Sequence, residues 1–196
     1  WHRGPFGTIN GLRLGSEFMT QEETTGVKRQ ENNNGVVVAV KPEPVKIPWV
    51  EINSALGLVT LLLSTLERKP HCGLSFQNKL VAMGSTSKIG LRKGDAFTFY
   101  NLYSDDSFQF FGKRNFNIAL NGLLSCLKDA AEAVNAIDRT ICLPHAIEPT
   151  SSKGEMTIGG LSVNYGGDGD QWTRAMKYLL TDAKWLVAFC TKHVDR

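Results

Sequence analysis

Three stretches of the chain carry apolar residues three and four positions apart, the spacing of one helical face. The first runs Trp49, Ile52, Leu56, Val59, Leu63 and Leu66, behind Pro48, a residue suited to a first helical turn. The second runs Phe116, Leu120, Leu123, Leu127, Ala130 and Val134. The third runs Trp172, Met176, Leu179, Ala183, Leu186 and Cys190. It follows Gly166-Gly167-Asp168-Gly169-Asp170, where Asp170 is expected to cap the helix. Each stripe opens on an aromatic residue and is expected to face a core.

Strand-like runs precede each helix. Residues 6–14 and 36–40 lie before the first, and 74–83, 96–103 and 108–111 before the second. Residues 139–143, 155–158 and 161–165 lie before the third. The order predicts an α+β fold of three repeats, each a small antiparallel β-sheet followed by one α-helix. The period is roughly 55–65 residues. One such unit cannot bury both faces of its sheet, so the three are expected to share one core. Residues 16–48 break the pattern. They are rich in Gln, Glu, Asn and Thr, which bury too little to offset their ordering entropy, and are expected to form a mobile loop. Within it, residues 36–40 have the β-branched character to add an edge strand.

Composition narrows the function. At 196 residues, 42 % hydrophobic and 21 % charged, the chain suits one domain or two small ones with a real core. Its 22 Lys and Arg against 19 Asp and Glu leave +3, too mild and too scattered for a nucleic-acid binder. The longest apolar run, residues 55–66, falls short of the ~20 that cross a bilayer, and Thr60, Ser64 and Thr65 interrupt it. Trp1-His2-Arg3-Gly4 shows no leader pattern, so the chain is expected to be an excised piece. Cys72, Cys126, Cys142 and Cys190 form no CxxC pair, and no Asn-x-Ser/Thr site occurs. A reducing, intracellular setting is expected, with each cysteine a small buried hydrophobe.

Catalytic constellations are scarce. There is no dinucleotide or phosphate-binding glycine loop, no GxSxG and no HExxH. Cys142 and His145 are the one conceivable nucleophile–base pair, but nothing else supports them and packing is the plainer reading. The acidic glycine-rich run at 166–170 lacks the ligand spacing of an EF-hand. A non-enzymatic domain is expected, with no cofactor and no metal.

The informative feature is an aromatic surplus at Phe108, Phe110 and Phe111, followed by Gly112, Lys113 and Arg114. In a strand, Phe108 and Phe110 share a face and point to the core, and Phe111 points the other way beside the cations. Two readings follow. Either the apolar tip inserts into an anionic membrane, or Phe111 packs beneath the helix start. Inserted rings contribute roughly 1.5–3 kcal/mol each and nearby cations about 1 kcal/mol each. The contact is therefore weak and needs an assembly that holds it near the bilayer. A second basic stretch, Lys88, Arg92 and Lys93, reads as a solvated turn. Trp185 lies off the central stripe of the third helix, where it can meet a partner.

Several landmarks resemble one family. Phe6-Gly7-Thr8-Ile9-Asn10 with Arg13-Leu14-Gly15 resembles the FGTIN…RLG signature of the Beclin family of autophagy proteins. Trp49-Val50-Glu51-Ile52-Asn53-Ser54-Ala55-Leu56-Gly57 is similar to the family's helix start, and Leu80-Val81-Ala82-Met83-Gly84-Ser85 to its LVPMGS strand end. Cys142-Leu143-Pro144, Gln171-Trp172-Thr173-Arg174-Ala175-Met176-Lys177 and Leu180-Thr181-Asp182-Ala183-Lys184-Trp185 resemble its last repeat. The landmarks occur in order over nearly the whole chain.

The resemblance implies the β-α repeated, autophagy-specific (BARA) domain over residues 1–196, lacking its first strand and carrying the 16–48 segment as an insertion. It implies a non-catalytic regulatory subunit of class III phosphatidylinositol 3-kinase complexes, in autophagosome formation and endosomal or vacuolar sorting. The implied partners are the other subunits of that complex and an anionic lipid membrane, with no nucleic acid. The implied place is the cytoplasm and the surface of the phagophore assembly site, endosome and vacuole. The family's aromatic finger, three consecutive rings before the second helix, falls on Phe110, Phe111 and Gly112. Gly112 is a departure, for which Lys113 and Arg114 are expected to compensate. The family's Bcl-2-binding segment and coiled coil are expected outside this chain. The alternative is a protein–protein interaction module that inserts nothing into a membrane.

Overall fold

The computed structural model describes residues 6–18, 28–31, 37–40, 45–105, 110–152 and 154–192. Three helices carry the core: α1 (Trp49–Glu67), α2 (Phe110–Ile137) and α3 (Gly169–Lys192). The residues of all three expected stripes are buried, except for the half-buried Trp49. By length and composition α1 matches a membrane-crossing helix, which its 55–66 run did not suggest. Its apolar stripe packs inside the domain instead. Its buried hydroxyls are satisfied within the helix, Thr60 donating to the Leu56 carbonyl (2.8 Å) and Ser64 to that of Leu61 (3.0 Å).

Small antiparallel sheets accompany these helices, an α+β fold. β1 (Gly7–Ile9) and β2 (Leu12–Leu14) form a hairpin. Its turn places Asn10 and Gly11 at positive φ, the two-residue geometry that matches the twist of paired strands. β3 (Glu17–Phe18) pairs with β6 (Val45–Lys46), and β4 (Lys28–Glu31) with β5 (Val37–Val40). The Val-rich run is thus a strand, paired with residues 28–31 rather than added to a larger sheet. Ahead of α2 lie β7 (Lys79–Val81), β8 (Lys88–Lys93) and β9 (Ala96–Asn101), in the order β7-β8-β9. Ahead of α3 lie β10 (Ile147–Pro149), β11 (Met156–Ile158) and β12 (Leu161–Ser162).

Four expectations need correction. Residues 88–93 are not a solvated turn but the central strand β8, with Ile89 and Leu91 directed to the core and Lys88, Gly90 and Arg92 alternating on the other face. Residues 139–143 pair with no strand. They form an irregular turn after α2, in which Asn135 donates to the Ile141 carbonyl (3.2 Å). Phe110 and Phe111 open α2 rather than ending a strand. The cap of α3 is Asp168, not Asp170: its Oδ1 accepts the Asp170 (2.9 Å) and Gln171 (3.3 Å) N–H groups. Those bonds hold the Asp168 carboxyl below the usual carboxylate range. Asp170 pairs instead with Arg174 one turn on.

The landmark residues of α1 tie elements together. Glu51 accepts from the Arg13 backbone N–H (2.7 Å), Nε (2.9 Å) and guanidinium (2.8 Å), a fork that fixes β2 on the helix. The Arg13 hydrogen bonds hold the Glu51 carboxyl below its ordinary range. Asn53 grips the Ser104 backbone from both sides, donating to its carbonyl (2.6 Å) and accepting its N–H (2.9 Å).

Candidate functional site

The amino ends of the three helices converge on one ring cluster. Trp49 begins α1, Phe116 lies two turns into α2, and Trp172 is in the first turn of α3. Tyr165, just before α3, joins them. Its ring meets Trp49 at 4.9 Å and Trp172 at 5.2 Å, edge to face, and Phe116 meets Trp49 at 5.6 Å. The buried Trp172 indole donates to the Val163 carbonyl (2.9 Å). Each aromatic that opens a stripe is therefore a packing residue of this cluster.

Asparagines on α2 hold the opposite strand. Asn117 donates to the Tyr165 carbonyl (3.2 Å) and accepts its N–H (2.8 Å). One turn on, Asn121 donates to Asn164 Oδ1 (2.7 Å) and accepts the Met156 N–H (2.7 Å). These bonds line a cleft of about 440 Å³ together with Lys113, Arg114 and Glu155. A second cleft of about 510 Å³ lies between Lys46, Pro48, Trp49, Gly166 and Trp172. Sequence reading missed Asn117 and Asn121. The available signal was a pair of amides four apart on a helix, facing inward beside the apolar stripe.

The four sequence-predicted site residues fall on the first turns of α2. For Phe110 and Phe111 the helical backbone is described, while their side chains, like the whole of Phe108 and Gln109, lie outside the described residues. Gly112 is exposed, and a side chain there would meet open space. Lys113 crosses over Gly166 and donates to its carbonyl (3.1 Å). Arg114 is exposed. The cations therefore differ: Lys113 ties α2 to the loop before α3, and Arg114 projects into solvent. The amino end of a helix also carries partial positive charge, which adds to that of the cations here.

The Cys142–His145 pair is not assembled for catalysis. His145 Nδ1 lies 2.8 Å from Asp182 Oδ1, and its ring stacks on Tyr178 at 3.9 Å. Cys142 is exposed, unlike the other three cysteines, and makes no hydrogen bond to His145. Asp182 is fully buried and its Oδ2 has no partner among the described residues. Burial pushes its carboxyl up to about 6, against the opposing pull of His145. Among the described residues no group of three or more His, Cys, Asp or Glu side chains is placed to hold a metal. Trp185 stacks parallel to Phe189, with ring centroids 6.2 Å apart.

A family model described as the Apg6 BARA domain matches residues 32–192. The vacuolar protein sorting-associated protein 30 of Kluyveromyces marxianus is 34 % identical over 100 % of the chain. Beclin-1 of Xenopus laevis is 32 % identical over 96 %, and the Beclin-1-like protein of Drosophila melanogaster 30 % over 96 %. The chain spans 37 % of the length of the first two and 38 % of the third.

Proposed function

We propose, for a chain that belongs to the Apg6 BARA-domain family, that it is the membrane-contacting, non-catalytic domain of a regulatory subunit of class III phosphatidylinositol 3-kinase complexes. Its setting is autophagosome formation and endosomal or vacuolar sorting, on the cytoplasmic surface of those membranes. The relatives named for vacuolar protein sorting and as Beclin-1 support that setting. Small antiparallel pairings precede α1, the β7-β8-β9 sheet precedes α2 and the β10-β11-β12 sheet precedes α3, which supports reading the domain as three repeats around a shared core.

The observation that carries the contact reading is the opening of α2: Phe110 and Phe111 in its first turn, exposed Gly112 after them, then Lys113 and the exposed Arg114. Two large apolar groups sit at a positively polarised helix end, beside a cation free to reach anionic headgroups. Lys113 keeps that end docked on the loop before α3.

Co-sedimentation of the chain with phosphatidylserine-containing vesicles tests the reading. Phe111→Asp is expected to lower the bound fraction about tenfold, since losing one inserted ring removes roughly 1.5–3 kcal/mol. Gly112→Trp, which fills open space with a third ring, is expected to raise it about tenfold. Unchanged pelleting of a folded Phe111→Asp chain would refute the insertion and leave the interaction-module reading.

A further inference from the structure

The β7-β8-β9 sheet directs Leu80, Ile89, Leu91 and Tyr100 toward the core. Its other face is aromatic and basic. Across it Lys79 stands opposite Gly90, Gly90 opposite Phe99, and Arg92 opposite Phe97. Phe97 and Phe99 are 38 % and 50 % exposed. A side chain at Gly90 would meet Phe99 Cε1 at 2.8 Å and Phe97 Cβ at 3.3 Å. The Phe99 ring therefore lies down over β8 in the gap that the glycine leaves. Lys79, Lys88 and Arg92 frame this shelf, and none of them pairs with a carboxylate among the described residues. Among the described residues no acidic side chain belongs to the face; Asp95 sits apart in the β8–β9 turn.

The same residues own an open strand edge. β9 is an outer strand of its sheet. Leu102 donates its N–H to the Ser87 carbonyl (2.9 Å), which sets the phase of the β8–β9 ladder. Backbone direction alternates along an antiparallel strand. Tyr100, Thr98 and Ala96 therefore face β8, and Phe97, Phe99 and Asn101 turn their N–H and C=O groups outward. No described residue takes up those outward groups. Among the described residues, the exposed rings and the unpaired backbone groups thus belong to the same positions.

We propose that this face and edge bind an extended, acidic peptide segment, which adds as a strand beside β9. Main-chain bonds to Phe97, Phe99 and Asn101 would hold it, with alternate side chains lying along the Phe97–Phe99 shelf. β8 lies two strand spacings from the added segment, about 10 Å away. Arg92 and Lys88 can span that gap together with a glutamate side chain, and Lys79 adds to the positive field. A bilayer fits less well. An open strand edge in hydrocarbon leaves backbone groups unsatisfied, and the Phe99 ring, which lies over β8, does not project into lipid. The inference is independent of the contact assigned to α2.

Fluorescence polarisation of the chain with a fluorescein-labelled peptide of alternating Glu and Val tests it. A Lys–Val peptide and phosphatidylserine vesicles serve as the comparison probes. The Glu–Val peptide is expected to bind saturably and more weakly as salt rises, and the Lys–Val peptide not to bind. Phe99→Ser and Arg92→Glu are each expected to weaken it about tenfold, the cost of one lost ring or ion-paired contact. Asn101→Pro deletes one outward N–H and leaves the β8–β9 ladder intact, so it should fold and bind about tenfold worse. Bound peptide should also slow hydrogen exchange at Phe97, Phe99 and Asn101. Failure of the Glu–Val peptide to bind, or binding unaffected by Asn101→Pro and Phe99→Ser, would overturn the proposal. So would vesicle binding that Phe99→Ser abolishes where the peptide does not bind, which would make the face a lipid surface.

Discussion

Replacing Gly57 with alanine is expected to destabilise the domain by about 3 kcal/mol or more, seen as a lower urea midpoint. Helix propensity alone predicts the opposite, because alanine in a helix interior is favoured over glycine by about 1 kcal/mol. Contact decides the sign. A methyl on Gly57 would overlap the Gly84 carbonyl oxygen and lie 2.6 Å from its carbon. That oxygen is backbone, in a turn that cannot give way: Ser87 donates to it through both Oγ (2.8 Å) and N–H (3.3 Å). Ser87 Oγ in turn accepts the Met83 N–H (2.9 Å), and Gly84 holds φ +58°. The added carbon must therefore part α1 from the turn that leads into β8. Gly112→Ala is the control: it also lies in a helix but meets open space, and should stabilise by roughly 0.5–1 kcal/mol. A neutral or stabilising Gly57→Ala would refute this account of the contact.

The second large effect is a pH dependence that Asp182 imposes. Burial raises its folded-state carboxyl to about 6, and an unfolded aspartate titrates near ~3.9. Between those values the folded chain holds the proton more tightly than the unfolded one. Stability contributed by this group is therefore greatest below about pH 4, falls as pH rises towards 6, and is flat above. The gap between the two titration points corresponds to roughly 3 kcal/mol. Glu51, held low by Arg13, acts in the opposite direction and loses stability as pH falls. The clean measurement is thus the difference between parent and Asp182→Asn, from denaturant unfolding at pH values from 4 to 7. Asparagine retains a polar partner for His145 and carries no charge, so it should gain on the parent by about 2 kcal/mol between pH 4 and 7. A pH-independent difference would place the Asp182 titration elsewhere.

Helices were legible because burial enforces their period over many turns: every residue of the three stripes is buried or, for Trp49, half-buried. Strands were less so. The alternation of Lys88, Ile89, Gly90, Leu91, Arg92 and Lys93 is a strand period, but its charges resemble those of a turn. A strand exists only if another accepts its hydrogen bonds, and no local pattern announces that residues 139–143 have no such partner. The ring cluster anchors α2 at Phe116, and no local pattern marks that the helix reaches back to Phe110. Nor does any local feature connect His145 with Asp182, 37 positions apart. At the candidate site, no local feature announced the docking of Lys113 on Gly166, which leaves Arg114 projecting.

The rings of Trp49, Phe116, Tyr165 and Trp172 also make the domain optically readable. They come from all three helices and the loop before α3, and sit in a fixed, asymmetric arrangement of edges and faces. Their near-ultraviolet circular dichroism therefore reports a geometry that no single helix possesses. A chain whose amino ends had parted while its helices persisted would keep its far-ultraviolet spectrum and lose that signal.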